Sequence, residues 1–379
     1  LTPDGSIAVS DLEHGDDALL ALPQAPAVFL ISAGEGRPYL ARTSVLRRRA
    51  LRLLARRDSP ARSFHLREAF SHLDYWLTGS ALDASMRMYD LARGHFPDEY
   101  ARMLRLRMPP YVKLLLANAW PRSIVTTHFG GGASLLYGPF RSRLAAEQFE
   151  SEFLDLFQIR RCMMDLAPAA DHPGCIYGEM NKCLRPCQLA VGHQEYQSEV
   201  TRAREFLETG GRSLLRTILT ARDQLSAEME FEEAARQHRR MEKVEEVLKM
   251  RDALAANVNQ LHAVAVTRSA TPNTVDLFLL RAGHWQGGAR IGFELEDGKP
   301  VSIDRKLRDV WATAPEQVLI NRERQERLAV LARWFYSTWC DGELLVFPDF
   351  NDPPVRKLVN AISRVSGKRT PDAGIGPTS

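Results

Sequence analysis

Residues 162–187 read CMMDLAPAADHPGCIYGEMNKCLRPC and hold four of the chain's five cysteines. Twelve residues separate Cys162 from Cys175, seven separate Cys175 from Cys183 and three separate Cys183 from Cys187. Cys340 stands apart, between Trp339 and Asp341. Four thiols within 26 of 379 residues, in a chain too poor in cysteine for a disulfide framework, read as metal ligands. Pro173, Gly174 and Pro186 lie beside them, where the backbone has to wrap tightly around a small centre. Four thiolates suit a tetrahedral zinc or a [4Fe–4S] cluster. Structural zinc usually presents two close pairs, so three unequal gaps fit a cubane with one ligand per iron somewhat better and leave zinc as the alternative.

Outward from the cysteines, the pattern changes on both sides. On the N-terminal side, residues 1–25 are polar and punctuated by Gly, Asp and Pro, as in a flexible arm. Ala27 to Ile31 reads as a buried strand, Arg37 to Ala41 as its hairpin return, and Ser44 as the N-cap of a helix with Leu46, Ala50 and Leu53 on one face. Helices are expected at Ala81–Arg93 and Asp98–Leu106, a strand at Tyr111–Leu116, and a helix at Ser142–Phe157. On the C-terminal side, charged helices are expected at His193–Glu208 and, as a hairpin, across Ser213–Asp252. A meander of strands at Leu261–Val266, Thr274–Leu280 and Ala289–Leu295 follows, then a helix at Pro315–Thr338, a strand at Leu344–Phe347 and a helix at Pro354–Val365. The expected fold is α+β and multidomain: an arm at 1–25, a small mixed domain at 26–135, a cysteine module at 136–192, a helical region at 193–256, a small α+β unit at 257–367 and a loose tail at 368–379.

Composition excludes collagenous, coiled-coil-only and disordered chains, and the net charge is only +3. No run of 18 apolar residues and no basic-then-apolar leader is present, so a soluble, cytoplasmic protein without a membrane partner is expected. The near-neutral total conceals segments of opposite sign. The 50 basic residues include eight Lys and 42 Arg, and ten of these Arg crowd residues 36–67 against the single acid Asp58. Such density repels itself unless an anion lies against it, and phosphate is the usual anion, so Arg42, Arg47, Arg48, Arg52, Arg56 and Arg57 are candidate DNA contacts. An Arg-rich solvated helix face is the bland competitor.

The run Tyr137-Gly138-Pro139-Phe140, the helix ending Phe157-Gln158-Ile159-Arg160-Arg161-Cys162, then Cys175 and Asn181-Lys182-Cys183-Leu184-Arg185-Pro186-Cys187 resemble the UvrC subunit of bacterial nucleotide-excision repair. The resemblance implies that Cys162, Cys175, Cys183 and Cys187 hold an iron–sulfur cluster. It also implies that the helical pair around Ala227–Arg236 is a UVR motif, which meets a UvrB helicase. Leu225, Phe231, Ala235, His238 and Met241 read as its apolar seam, with Phe231, Ala235 and Met241 the candidate partner contacts. Five basic and eight acidic residues from Arg222 to Glu246 give this hairpin the opposite sign to the Arg-rich segment.

The N-terminal segment resembles a GIY-YIG nuclease domain and departs from it. Tyr39 and Arg49 match the second Tyr and the catalytic Arg, Phe29 stands where the first Tyr is expected, and Ser85 falls at the metal-holding Glu, with Asp83 nearby. Hydrolysis of a phosphodiester by this route needs Mg²⁺ or Mn²⁺ held by a carboxylate, which a Ser hydroxyl does not replace. The resemblance covers the front modules of UvrC and lacks the ribonuclease-H-like and helix-hairpin-helix modules. The leading expectation is a DNA-binding, UvrB-binding repair protein with weak or absent incision. An active single-cut endonuclease and a non-catalytic adaptor competing for the helicase are the alternatives.

Overall fold

The computed structural model describes residues 1–13, 15–34, 36–56, 66–67, 70–294 and 301–367. Arg57 and the expected tail at 368–379 lie outside the described residues. Among those described, twelve α-helices and three four-stranded antiparallel sheets form an α+β fold.

The N-terminal unit contains β1 (Gly5–Ala8), α1 (Asp17–Ala21), β2 (Ala27–Ala33), β3 (Tyr39–Thr43), α2 (Leu46–Leu54), β4 (Phe70–Leu77), α3 (Ala81–His95) and α4 (Tyr100–Met103), with sheet order β1-β4-β2-β3. The flexible arm expected at 1–25 is instead part of this unit. β1 pairs with β4, satisfying an edge that would otherwise present unpaired N–H and C=O groups, and Leu12, Leu19 and Leu22 are buried. Because alternate strand residues face opposite ways, Phe29 and Ile31 of β2 pack under Leu46, Ala50 and Leu53 of α2, while Val28 and Leu30 face Ala84 and Leu91 of α3. A fully buried side chain of this size contributes about 1.5–3 kcal/mol.

The middle unit begins earlier than expected. β5 (Tyr111–Leu115), β6 (Arg122–Thr126) and β7 (Ser134–Gly138) precede α5 (Arg143–Leu154), α6 (Ile176–Glu179), α7 (His193–Thr209), α8 (Arg212–Ala227), α9 (Phe231–Lys249) and β8 (Ala256–Asn257). The sheet order is β6-β5-β7-β8, so a boundary at 135/136 would cut through β7. The sheet covers an aromatic core of Tyr137, Phe140, Phe149, Phe153, Phe157 and Phe206. Rings of Tyr137 and Phe149 stack at 5.2 Å and those of Phe149 and Phe153 at 6.2 Å, the i,i+4 spacing of α5 bringing the last two onto one face. Gly138 has φ +152°, and a Cβ there would lie 2.7 Å from Tyr111 Cδ1, so this turn requires glycine.

The last unit comprises β9 (His262–Arg268), β10 (Thr274–Arg281), β11 (His284–Gly292), α10 (Ile303–Thr313), α11 (Asn321–Phe335), β12 (Gly342–Phe347) and α12 (Val355–Gly367), with sheet order β11-β10-β9-β12. One face, with Val264, Val266, Leu277 and Leu279, packs on α10 and α12. The other, with Ala263, Ala265, Phe278 and Leu280, packs on Leu328, Leu331 and Trp334 of α11 and on Leu82, Met86 and Tyr89 of α3. Helix α3 therefore stands between two sheets, and the expected separate linker unit shares a core with the N-terminal unit. No helix among the described residues is long and apolar enough to cross a membrane.

Candidate functional site

The cysteine module hangs between α5 and α7 on little regular structure. None of its thiols is in a disulfide; Cys183 and Cys187 are buried, Cys162 is half-buried and Cys175 is exposed. Burial pushes the Cys183 thiol up to about 11, and Cys162, Cys175 and Cys187 add to the shift. Donors point at two of the sulfurs: the Arg185 N–H lies 3.4 Å from Cys183 Sγ and Arg160 Nη1 lies 3.5 Å from Cys162 Sγ. Such bonds favour a thiolate over a thiol. The backbone is held in an unusual shape to achieve this. Asn181, Arg185 and Leu189 all take left-handed φ, between 52° and 57°. For Arg and Leu this costs about 1–2 kcal/mol each and persists only where surroundings impose it. The soft donor set and the N–H···S bonds fit a thiolate-held centre. Among the described residues, however, no set of three or more His, Cys, Asp or Glu side chains has closed ligand geometry.

The nuclease-like residues occupy two different places. Arg49 Nη2 on α2 donates to the Tyr39 hydroxyl on β3 at 2.7 Å, and the Phe29 ring lies 6.0 Å from that of Tyr39. This pair belongs to the α2 side of the sheet, as Tyr39 and Ala41 pack into that core. Leu40, one residue on, packs on the other side against the core that includes Ala84 and Leu91 of α3, and Arg42 shares a cleft with Ser85. Ser85 Oγ donates to the Ala81 carbonyl of its own helix at 2.7 Å. Asp83 is two residues away, about 200° around the helix, so it faces oppositely. It lies in a cavity with Asp276, Trp285 and Arg290 of the C-terminal unit, with Arg87 Nε 2.8 Å from its Oδ1. Burial raises its carboxyl above the usual range, and Asp276 adds to this against Arg87. Asp83 is thus not available to complete a metal site with Tyr39 and Arg49.

Helix α3 is fixed in this orientation from the C-terminal unit. Ser80 Oγ accepts from Asp83 N–H at 3.1 Å as the N-cap, and Asp341 Oδ2 accepts from Ala81 N–H at 2.7 Å. Asp341 Oδ1 accepts from Trp334 Nε1 at 2.9 Å. Further along, Glu326 of α11 accepts from Tyr89 Oη at 2.8 Å, from Tyr100 Oη at 2.7 Å and from Arg322 Nε at 3.0 Å. A Cβ on Gly79 would lie 2.2 Å from the Ser269 carbonyl carbon, a direct backbone approach between the two units.

The arginine-rich segment is partly consumed by the fold. Arg47 Nε donates to the Leu22 carbonyl at 2.7 Å, Arg56 reaches the Glu13 carbonyl, and Arg67 pairs with Asp16 at 2.6 Å. Arg42, Arg48 and Arg52 are exposed. The ordered 1–25 segment explains the crowding as much as an external anion does, because its carbonyls and Asp16 take up guanidinium groups.

The helical hairpin forms, with a seam offset from the expected one. Leu214 and Ile218 of α8 pack with Val244 and Val247 of α9, and Ala234 is buried, whereas Phe231, Ala235 and His238 are exposed. Met241 is partly packed on the middle core. Lys243 Nζ, 2.6 Å from Glu152 Oε2, ties the hairpin base to α5. At the tip, Met229 and Phe231 are 77% and 66% exposed, an apolar pair with no intramolecular cover.

Comparison with known proteins agrees with the order of these parts. Residues 110–206 match the family described as UvrC/Cho excinuclease, middle domain, which begins where β5 begins. The chain is 23% identical over 346 residues to UvrABC system protein C of Lachnospira eligens, covering 89% of this chain and 56% of the relative. It is 24% identical over 268 residues to that of Dehalococcoides mccartyi, covering 70% and 44%, and 23% identical over 319 residues to that of Caldanaerobacter subterraneus, covering 82% and 52%. The chain spans about half the length of the curated relatives it matches. No solved structure matches it. The family match at residues 110–206 and the likeness through the flanking units make the chain similar to UvrABC system protein C over most of its length.

Proposed function

We propose that this protein works in nucleotide excision repair as a UvrC-like component that binds DNA and a UvrB-type helicase and contributes little or no incision from its GIY-YIG-like unit. The observation that carries the last part is the separation on β3 and α3. Tyr39 and Arg49 are paired on one side of the sheet, while α3 offers Ser85, bonded to its own backbone, and Asp83, turned into the C-terminal unit. Among the described residues no carboxylate joins Tyr39 and Arg49 as a metal ligand, so none of them anchors the Mg²⁺ or Mn²⁺ that would polarise a phosphate. Cys162, Cys175, Cys183 and Cys187 hold a [4Fe–4S] cluster whose role is to organise the module, with zinc the alternative occupant. The exposed hairpin tip at Met229 and Phe231 is the contact for the helicase.

A nicking assay on lesion-containing duplex with Mg²⁺ or Mn²⁺ tests the catalytic part: no cleavage above background is expected. Cleavage abolished by Arg49→Ala would establish instead the single-cut endonuclease that the intact Tyr39–Arg49 pair favours. Iron and sulfide content with the visible spectrum of anaerobically purified protein tests the cluster, and a colourless, zinc-loaded protein would overturn it. Pull-down of a UvrB-type helicase, lost on Phe231→Asp, tests the partner.

A further inference from the structure

Resting on the reading that this protein binds DNA, we infer that the strand runs through a cleft formed by α11, the segment after α4 and the turn before α5. The face of α2 that the sequence singles out is not its path. The cleft has two connected parts. One, of about 550 Å³, is lined by Arg105, Arg107, Arg141, Arg333, Pro109 and Tyr336. The other, of about 200 Å³, is lined by Arg42, Ser85, Met103, Trp339 and again Arg333. Five arginines from four separate segments converge on it, and no acidic residue lines either part.

These guanidinium groups differ from those of α2 in how they are occupied. Arg42, Arg105 and Arg107 are exposed and form no ion pair among the described residues. Among the described residues Arg333 reaches only the Leu104 carbonyl, at 3.3 Å. Arg141 is held 2.9 Å from Asp252 by its Nε and keeps its side chain 66% exposed. Arg105 also takes a left-handed φ of 49°, a conformation that non-glycine residues adopt only when the surroundings impose it. A groove in which Arg141 alone of the five arginines is ion-paired among the described residues attracts a phosphodiester backbone, and Arg is suited to phosphate through its bidentate fork. The dimensions select which form of DNA enters. A cleft of this volume takes a few nucleotides of one strand and not a duplex. At its far end, Trp339 exposes its ring, a platform on which an unpaired base can stack.

The test is binding of a labelled single-stranded oligonucleotide and of its duplex by the full chain, read by fluorescence anisotropy over a salt series. Wild-type protein is expected to prefer the single strand. Arg105→Ala/Arg107→Ala should weaken that binding about tenfold at low salt and flatten the slope of log K against log salt by about 1.4, for two lost phosphate contacts. Arg105→Lys/Arg107→Lys should keep most of the slope, which separates charge from misfolding. Trp339→Ala should weaken binding about fivefold with the slope unchanged, as stacking is not electrostatic. If Arg48→Ala/Arg52→Ala carries the loss while the cleft variants bind as wild type does, the path is wrong and DNA binding stands. If wild-type protein binds neither oligonucleotide at low salt, DNA binding itself is wrong.

Discussion

The cysteine module and the C-terminal sheet are neighbours in one chain and are held by different forces. In β9 to β12 every strand is laddered to the next, and apolar residues alternate into two cores, so its shape follows from pairing and burial. Between Cys162 and Cys187 there is one four-residue helix, α6, and a short 3-10 turn at Pro186–Gln188. Met163, Met164, Ile176 and Met180 are all exposed there. Such a segment gains little from burial, and on the proposed reading its order comes from bonds at the thiols. One region is determined by its residue pattern; the other, on the proposed reading, is determined by the centre its cysteines hold.

The sharpest way to break that contrast is to remove the bonds. Cys183→Ser, or chelation of the bound centre, should release the module, because a structural metal site supplies on the order of 10 kcal/mol to the fold around it. Limited proteolysis is expected to cut between residues 162 and 191 while the C-terminal sheet stays protected. Cleavage spread evenly over the chain, or none, would remove the distinction. Trp334→Ala attacks the other side. This ring is fully buried and donates to Asp341, so a global loss of about 3–5 kcal/mol is expected in denaturant titration, with the visible signature of the centre retained at low denaturant.

A third test uses protons. His262 and His284 have pKa values lowered by burial, and their Nδ1 atoms accept from the N–H groups of Ala282 and Leu319. A base with a lowered folded pKa stabilises the native state above its unfolded value, near 6.5, and that stability is lost as pH falls through the window below it. Thermal unfolding at pH 7 and pH 5 should therefore show weakening on the acid side, reduced in His284→Asn. The smallest expected effect is Phe231→Ala at the hairpin tip, within about 0.5 kcal/mol of wild type by thermal melt, since the ring covers nothing in this chain.

Much of the fold could be read locally, and what could not has identifiable causes. The apolar spacing of α2 lies within a few residues and forms as expected, but its N-cap is Val45 without a side-chain bond and not the expected Ser44; the helix expected from Ser142 forms as α5, with Ser142 Oγ accepting from Ala145 N–H. Strand β4, FSHLDYWL, was hidden because Ser71, His72 and Asp74 interrupt its alternation, and β1 because four residues give no period to detect. Helix α10 was missed although Ile303, Leu307, Val310 and Trp311 carry the helical spacing and Ser302 supplies an N-cap that accepts from Arg305 N–H. In the hairpin, helical apolar residues on adjacent stripes made the outward Phe231 and Ala235 look like the seam that Ala234 and Val244 form. The four cysteines were legible because they are close in sequence. Of the cleft's arginines only Arg42 was, because Arg105, Arg107, Arg141 and Arg333 join it only through folding.

Helix α3 lies between two sheets and is pinned at its first turn by Asp341 and along its length by Glu326. Most sides of this helix are spoken for, and a substitution there has to suit two cores together. Ser85, half-buried at the cleft, sits on a side that neither core claims. A residue in that place is free to drift without endangering the scaffold. The loss of an acid there would leave the architecture intact, and its restoration as Ser85→Glu would ask little of the surrounding protein.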